Sequence, residues 1–259
     1  MNKRTVAMAA AAGLSGIALG GGAVAGSEEA RTSAPSEGCD LPGPYDYPRA
    51  DDVVDLDPAD FTSRIDHPYF PMRPGTVWTY KETDGREVRH VRVTVTQHTR
   101  MVQGIEARVV RDVVRSDEGI VEYTHDWYAQ DSGGSIWYLG EATREYDDGE
   151  VVSTEGSWEH GRDGAMAGLL LPAQPETGCA YREEHFAGEA EDRAVILARR
   201  EHLKVPTGFY RRVLHTSNST PLEPTALENK FYARGVGPVV ELDISPQFSR
   251  AVLVSVTRR

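Results

Sequence analysis

The strongest constraint on this chain is an apolar/polar alternation of period two, broken at short intervals by glycine. Val91, Val93 and Val95 fall on one side of an extended chain, and His90, Arg92, Thr94, Thr96 and His98 on the other. That is the pattern of a strand with one face buried and one wetted. Asp84-Gly85, Gln103-Gly104, Glu118-Gly119, Ser132-Gly133-Gly134, Asp148-Gly149, Thr207-Gly208 and Gly235-Val236-Gly237 separate such runs. Each supplies a residue free to take the positive φ of a tight hairpin. The pattern predicts strands over residues 77–82, 87–96, 105–114, 120–129, 136–139, 151–159, 181–185, 193–204, 210–216, 227–232, 239–242 and 251–256. Hairpins in sequence define a mostly β fold, a single antiparallel meander forming a curved sheet, half-barrel or barrel. One or two short helices are expected, one turn at 58–61 and another over 163–171 ahead of Pro172. Residues 188–200 are open between strand and helix, the latter favoured by their Ala, Glu, Arg and Leu.

The chain starts Met1-Asn2-Lys3-Arg4 and continues from Thr5 to Ala25 without a charge. A short basic start, an apolar run and the small residues of Ala23-Val24-Ala25 spell a signal peptide, residues 1–25, cut after Ala25. So many Ala and Gly residues make a weak membrane anchor, so no stable membrane insertion is expected after processing. No cysteine sits at the cut to take a lipid. The expectation is a secreted protein, extracellular or associated with the cell wall. Residues 26–50 are rich in Ser, Glu, Pro, Gly and Ala and read as a disordered linker. Residues 51–259 then form a single β domain, long enough for one sizeable core.

The two cysteines, Cys39 and Cys179, are predicted to pair, because an oxidising compartment leaves few free thiols. The net charge is −12, and −14 once Lys3 and Arg4 leave with the leader. Such a field repels phosphate backbones, which argues against a nucleic-acid partner.

Residues 61–76, Phe-Thr-Ser-Arg-Ile-Asp-His-Pro-Tyr-Phe-Pro-Met-Arg-Pro-Gly-Thr, followed by Asp126-Trp127-Tyr128-Ala129-Gln130-Asp131, Trp137-Tyr138-Leu139-Gly140-Glu141 and Thr154-Glu155-Gly156-Ser157-Trp158-Glu159, carry a likeness. Through them the chain resembles a family of exported actinobacterial proteins of unknown function, and no activity follows from it. Val205-Pro206-Thr207-Gly208-Phe209 and Phe231-Tyr232-Ala233-Arg234-Gly235-Val236-Gly237 are similar to the closing hairpins of lipoprotein-carrier-like and TapB-like envelope half-barrels. That likeness implies a fold and licenses no function.

Alternation in Glu122-Tyr123-Thr124-His125-Asp126-Trp127-Tyr128 leaves two options. If Val121, Tyr123, His125, Trp127 and Ala129 face the core, His125 is a hydrogen-bonded core histidine. If Glu122, Thr124, Asp126 and Tyr128 line a cleft, Asp126 and Glu141 form a two-carboxylate pair suited to acid/base catalysis. Trp78, Trp127, Tyr128, Trp137, Tyr138 and Trp158 are candidates to line a pocket for a small apolar or glycan ligand. Glu189, Glu191 and Asp192 form an oxygen-rich run suited to calcium, though no EF-hand spacing accompanies it. No HExxH, GxSxG, Walker or dinucleotide loop occurs, so no cofactor is expected apart from that ion.

Three functions remain open on these grounds. The first is a non-catalytic secreted binding domain with an aromatic concave pocket for a small-molecule ligand. The second is an enzyme, a hydrolase or a cyclase or isomerase, using the paired carboxylates. The third is a calcium-stabilised structural envelope module.

Overall fold

The alternating segments do become strands, and the hairpins between them wind the chain into a nearly closed barrel. The computed structural model describes residues 39–258; the expected leader and most of the expected linker lie outside them. Among the described residues the chain forms a 3-10 turn, Pro58–Asp60, and sixteen strands. These are β1 (Phe61–Thr62), β2 (Thr76–Thr83), β3 (Val88–Val102), β4 (Ile105–Ser116), β5 (Gly119–Asp131), β6 (Ile136–Asp147), β7 (Glu150–Ser153) and β8 (Trp158–Glu159). Then come β9 (Met166–Leu171), β10 (Ala180–Arg182), β11 (Glu184–His185), β12 (Arg193–Val205), β13 (Gly208–Thr220), β14 (Glu223–Ala233), β15 (Gly237–Ser245) and β16 (Ser249–Arg258).

The pairs are antiparallel, and hydrogen-bonded neighbours run β10-β12-β13-β14-β15-β16-β2-β3-β4-β5-β6-β9-β11. The closing step is the β16–β2 ladder, in which Leu253 sits opposite Tyr80 and Val256 opposite Trp78. The β10 end of this path meets β9, the strand next to its other end. There side chains bridge to backbone: Arg182 Nη2 donates to the Ala167 carbonyl at 2.8 Å, and the Tyr181 hydroxyl to that of Leu170 at 3.4 Å.

Of the helices expected, the turn at Pro58–Asp60 exists, opened by Asp57 accepting from the Ala59 amide at 2.9 Å. Residues 163–171 instead hold β9, whose last five residues are buried without alternation. A strand covered on both faces loses its period-two signature, which is why it mimicked a helix. Residues 188–200 resolve as a turn followed by β12, so hairpin context overrides helix propensity there. The expected strand 151–159 is two strands separated by a turn at Gly156, and 181–185 is likewise two.

The stretch 39–50, expected as linker, packs on the barrel as a strap across the seam. Cys39 and Cys179 are disulfide-bonded, with Cα atoms 5.5 Å apart. The Arg182 amide donates to Pro48 O, and its Nη1 to the carbonyls of Ala50 and Asp52, all at 2.8 Å. Tyr45 stacks on Phe61 and meets Trp137 edge-on. The strap runs so close to the β5–β6 turn that a Cβ on Gly133 would overlap the Pro42 carbonyl, so only glycine fits.

Inside the barrel one region is a conventional core. Trp78, Tyr80, Val91, Val93 and Leu253 are at most 1 % exposed. The indole of Trp78 donates to Val236 O at 2.7 Å and Tyr80 to Pro238 O at 3.1 Å, so neither ring buries an unmet donor. Each such side chain stabilises the fold by about 1.5–3 kcal/mol.

Candidate ligand-binding interior

The rest of the interior is lined by charge. In β5 the residues turned inward are Glu122, Thr124, Asp126 and Tyr128, all buried, while Tyr123 and His125 are half-buried on the outside. The second of the two options left open by the alternation is therefore the one adopted. His125 is an outer-face residue, its Nε2 3.3 Å from the Tyr123 hydroxyl, and burial is the main cause that lowers its pKa, with Arg111 and Arg144 adding to it.

Asp126 and Glu141 are directly opposite each other across β5 and β6. The Tyr138 hydroxyl donates to Asp126 Oδ1 at 3.1 Å. Its ring stacks on Tyr128 at 4.9 Å and meets Trp158 edge-on at 5.2 Å. Trp158, opposite Glu141 in the β6–β8 pair, donates its indole N–H to Glu184 Oε2 at 2.6 Å. Three carboxylates and three aromatic rings thus share one region. Asp126 Oδ2 and Glu184 Oε1 are buried there without a hydrogen-bond partner.

Burial, first, pushes the Asp126, Glu141 and Glu184 carboxyls well above the carboxylate range. Their neighbours push the same way: Asp112 acts on Asp126, Asp126 and Glu122 on Glu141, and Asp192 and Glu141 on Glu184. Each is held towards its neutral form because an isolated ionised carboxylate is expensive to bury.

A second group contains the counter-charge. Lys230 Nζ lies 3.2 Å from Glu228, with Glu183 and Glu241 also acting on it. Burial lowers the lysine pKa, and the three carboxylates together outweigh burial and leave it raised. Glu183 also accepts from Asn218 Nδ2 at 2.5 Å. Asp192 is pushed up to about 8, by burial and then Glu183, against the pull of Lys230. Glu82 is pushed up to about 7 by burial, with Arg89 pulling down.

The residues singled out from sequence therefore divide. Asp126 and Glu141 come together as expected, and Tyr128, Tyr138 and Trp158 surround them. Trp127 and Trp137 are corrections: the strand phase that turns Asp126 inward turns both outward. Trp127 lies under the Arg100 guanidinium at 4.1 Å, and Trp137 is covered by Tyr45 and Phe61 and bonded to Asp131 at 2.8 Å. Trp78 fills the apolar region. Glu189, Glu191 and Asp192 diverge: Glu189 is exposed, Glu191 accepts from the Gly188 amide at 2.9 Å, and Asp192 is buried inside. Among the described residues no group of three or more His, Cys, Asp or Glu is placed to hold a metal ion.

Sequence reasoning missed Glu183, Glu184, Glu228, Lys230 and Glu241. One signal existed: Glu228, Lys230 and Tyr232 share a face of β14. Charges in alternation usually mark the wetted side, so the pattern pointed outward.

By fold and interior the chain is a nearly closed antiparallel β barrel with an acidic, aromatic-lined inside. No protein-family model matches it, and no curated protein does. Among solved structures it is similar to a "putative lipoprotein" from Parabacteroides distasonis, at 12% identity and a TM-score of 0.41, over 73% of this chain and 98% of that one.

Proposed function

We propose that this is an exported, non-catalytic binding barrel, and that a small organic molecule sits against Tyr128, Tyr138 and Trp158 within reach of Asp126, Glu141 and Glu184. One observation carries the reading. Two carboxylate oxygens, Asp126 Oδ2 and Glu184 Oε1, are buried beside aromatic faces with no partner in the protein. Unmet buried acceptors cost about 1–3 kcal/mol each, a cost that a donor-bearing ligand removes. The disulfide fits an oxidising compartment, as export requires.

The test is a thermal-shift and calorimetric screen of the chain lacking residues 1–25 against fatty acids, terpenoids, oligosaccharides and organic amines. Saturable binding by one class, lost in Tyr138→Ala, supports the reading; no binding by any class overturns it.

The facing pair Asp126 and Glu141 favours a second reading, an acid/base enzyme. Two neighbouring carboxyls that resist ionising together supply a proton donor beside an acceptor. Turnover of a glycoside or ester panel, abolished separately by Asp126→Asn and by Glu141→Gln, would establish it. The calcium-stabilised module is not carried further, because its three residues point apart.

A further inference from the structure

We propose that the molecule this interior accepts is an organic cation, a primary amine or polyamine, whose ammonium lies between Asp126, Glu141 and Glu184 and against the Tyr128, Tyr138 and Trp158 rings. The inference rests on the binding reading above and names its ligand class.

The first argument is local charge. Among the described residues no ion pair reaches Asp126, Glu141 or Glu184, and what acts on them most strongly is burial and other carboxyls. Arg89 is engaged with Glu82 and Glu87 at 3.8 and 3.0 Å, and Lys230 with Glu228. This region therefore holds acids without an ion-paired partner, and burial holds them towards their neutral forms.

The second is complementarity. An apolar lipid would leave the Asp126 and Glu184 oxygens unmet and desolvated, which is the costly outcome. A neutral sugar brings donors but little reason for three buried carboxyls in one region. Among the described residues the carboxylates are not clustered for a metal ion. An ammonium satisfies both features: it donates up to three hydrogen bonds to carboxylates, and it is attracted to the faces of Tyr and Trp rings.

The third is a precedent in the same barrel. Lys230 is a buried ammonium, 3 % exposed, paired with Glu228 at 3.2 Å and held charged by Glu228, Glu183 and Glu241 together. The fold thus already keeps one amine charged among buried carboxyls. The Asp126, Glu141 and Glu184 group has comparable acids and, among the described residues, no ion pair to a lysine or arginine. When a protonated amine enters, one carboxylic acid ionises to pair with it, and the proton leaves to the buffer.

The experiment is isothermal titration at pH 7 with 1,5-diaminopentane and spermine against pentane-1,5-diol, cellobiose and palmitate, each in two buffers of unlike ionisation enthalpy. Amines are expected to bind at least tenfold more tightly than the diol, with proton release that differs in heat between buffers. Glu184→Gln keeps an acceptor for the Trp158 indole and should weaken amine binding at least tenfold without lowering the melting temperature; Asp126→Asn should do the same. Binding of the diol, cellobiose or palmitate without the amines would overturn the cation proposal and leave the binding barrel standing. Binding by none of the five would remove both. Amine binding unchanged in both variants would place it elsewhere and overturn the site.

Discussion

Tyr138 holds Asp126 in place from the facing strand, donating to Oδ1 at 3.1 Å while Oδ2 stays unpaired. The tyrosine ring is fixed in turn by its stack on Tyr128 and by Trp158. The hydroxyl is therefore preset, and removing it alone leaves the packing intact. Tyr138→Phe is expected to destabilise the protein by about 1–3 kcal/mol at pH 8, because Asp126 then has no donor on either oxygen. In a double-mutant cycle with Asp126→Asn the effects should be non-additive, read by urea unfolding. Additive effects would mean the two groups do not interact.

Stability should fall as pH rises from 5 to 8. A carboxyl whose folded pKa is raised binds its proton more tightly in the folded state; that contribution is fully present below the unfolded value, near 4, and is lost as pH climbs through the folded one. Glu82 at about 7 and Asp192 at about 8 set the window, and Glu122, Asp126, Glu141, Glu184 and Glu241 are shifted in the same direction, all chiefly by burial. His67 acts oppositely. Burial lowers its pKa from 6.5 to about 4, so it costs stability as pH falls through that range. His125, His160 and His215 are lowered like His67, also chiefly by burial; these four imidazoles oppose the seven carboxyls, and the net slope stays negative, steepest above pH 6.5. Melting temperatures measured from pH 4.5 to 8.5 check this, and a maximum near pH 8 would contradict it.

Reduction of the Cys39–Cys179 bond should free the strap and destabilise the barrel. The bond spans a sequence separation of 140 residues, and closing loops of that order restricts the unfolded chain by up to about 5 kcal/mol, with about 2–5 kcal/mol typical of native bonds. Cys39→Ser with Cys179→Ser should lower the unfolding free energy on that scale. Protease should then cut within residues 40–57, which the oxidised protein protects. An unchanged cleavage pattern would show that the strap is held by its other contacts.

Arg182 ties three parts of the seam: the strap through Ala50 and Asp52, β9 through Ala167, and its own strand. Its guanidinium reaches three carbonyls at once, a geometry lysine cannot copy. Both Arg182→Ala and Arg182→Lys are expected to cost about 3 kcal/mol or more, since each leaves buried carbonyls unmet. Full stability in Arg182→Lys would reduce the role to charge alone.

The sequence displayed the strands wherever one face is wetted. Val91, Val93 and Val95 announced β3, and every glycine-marked turn used to separate runs falls between strands or ends on the first residue of one. It hid β9, because Leu169, Leu170 and Leu171 are covered on both sides and no alternation survives. The Asp126–Glu141 pair was legible as an option, because Asp126 lies on a predicted strand and Glu141 two residues past the end of the next one. The phase of β5 was not, because apolar Trp127 and charged Asp126 are both buried and hydrophobicity alone cannot choose between the faces. Glu183 and Glu184 were illegible for a different reason: their burial comes from the seam where β9, β10 and β11 meet, a relation made by residues far apart in the chain.

Lys230 gives the sharpest test of the interior charge. It is the ammonium on which Glu228, Glu183 and Glu241 all act, and Glu228 approaches it to 3.2 Å. Lys230→Met keeps the length and most of the volume but removes the charge, so these carboxyls face one another without a cation. Breaking a buried ion pair by deleting one partner costs about 3–5 kcal/mol, and that loss is expected at pH 8. At pH 5 the same carboxyls take up protons instead, and most of the deficit should disappear. Adding Glu228→Gln to Lys230→Met should recover stability at pH 8 and change little at pH 5. A loss in Lys230→Met that is equal at both pH values would mean that the lysine supports the barrel by packing and not by charge.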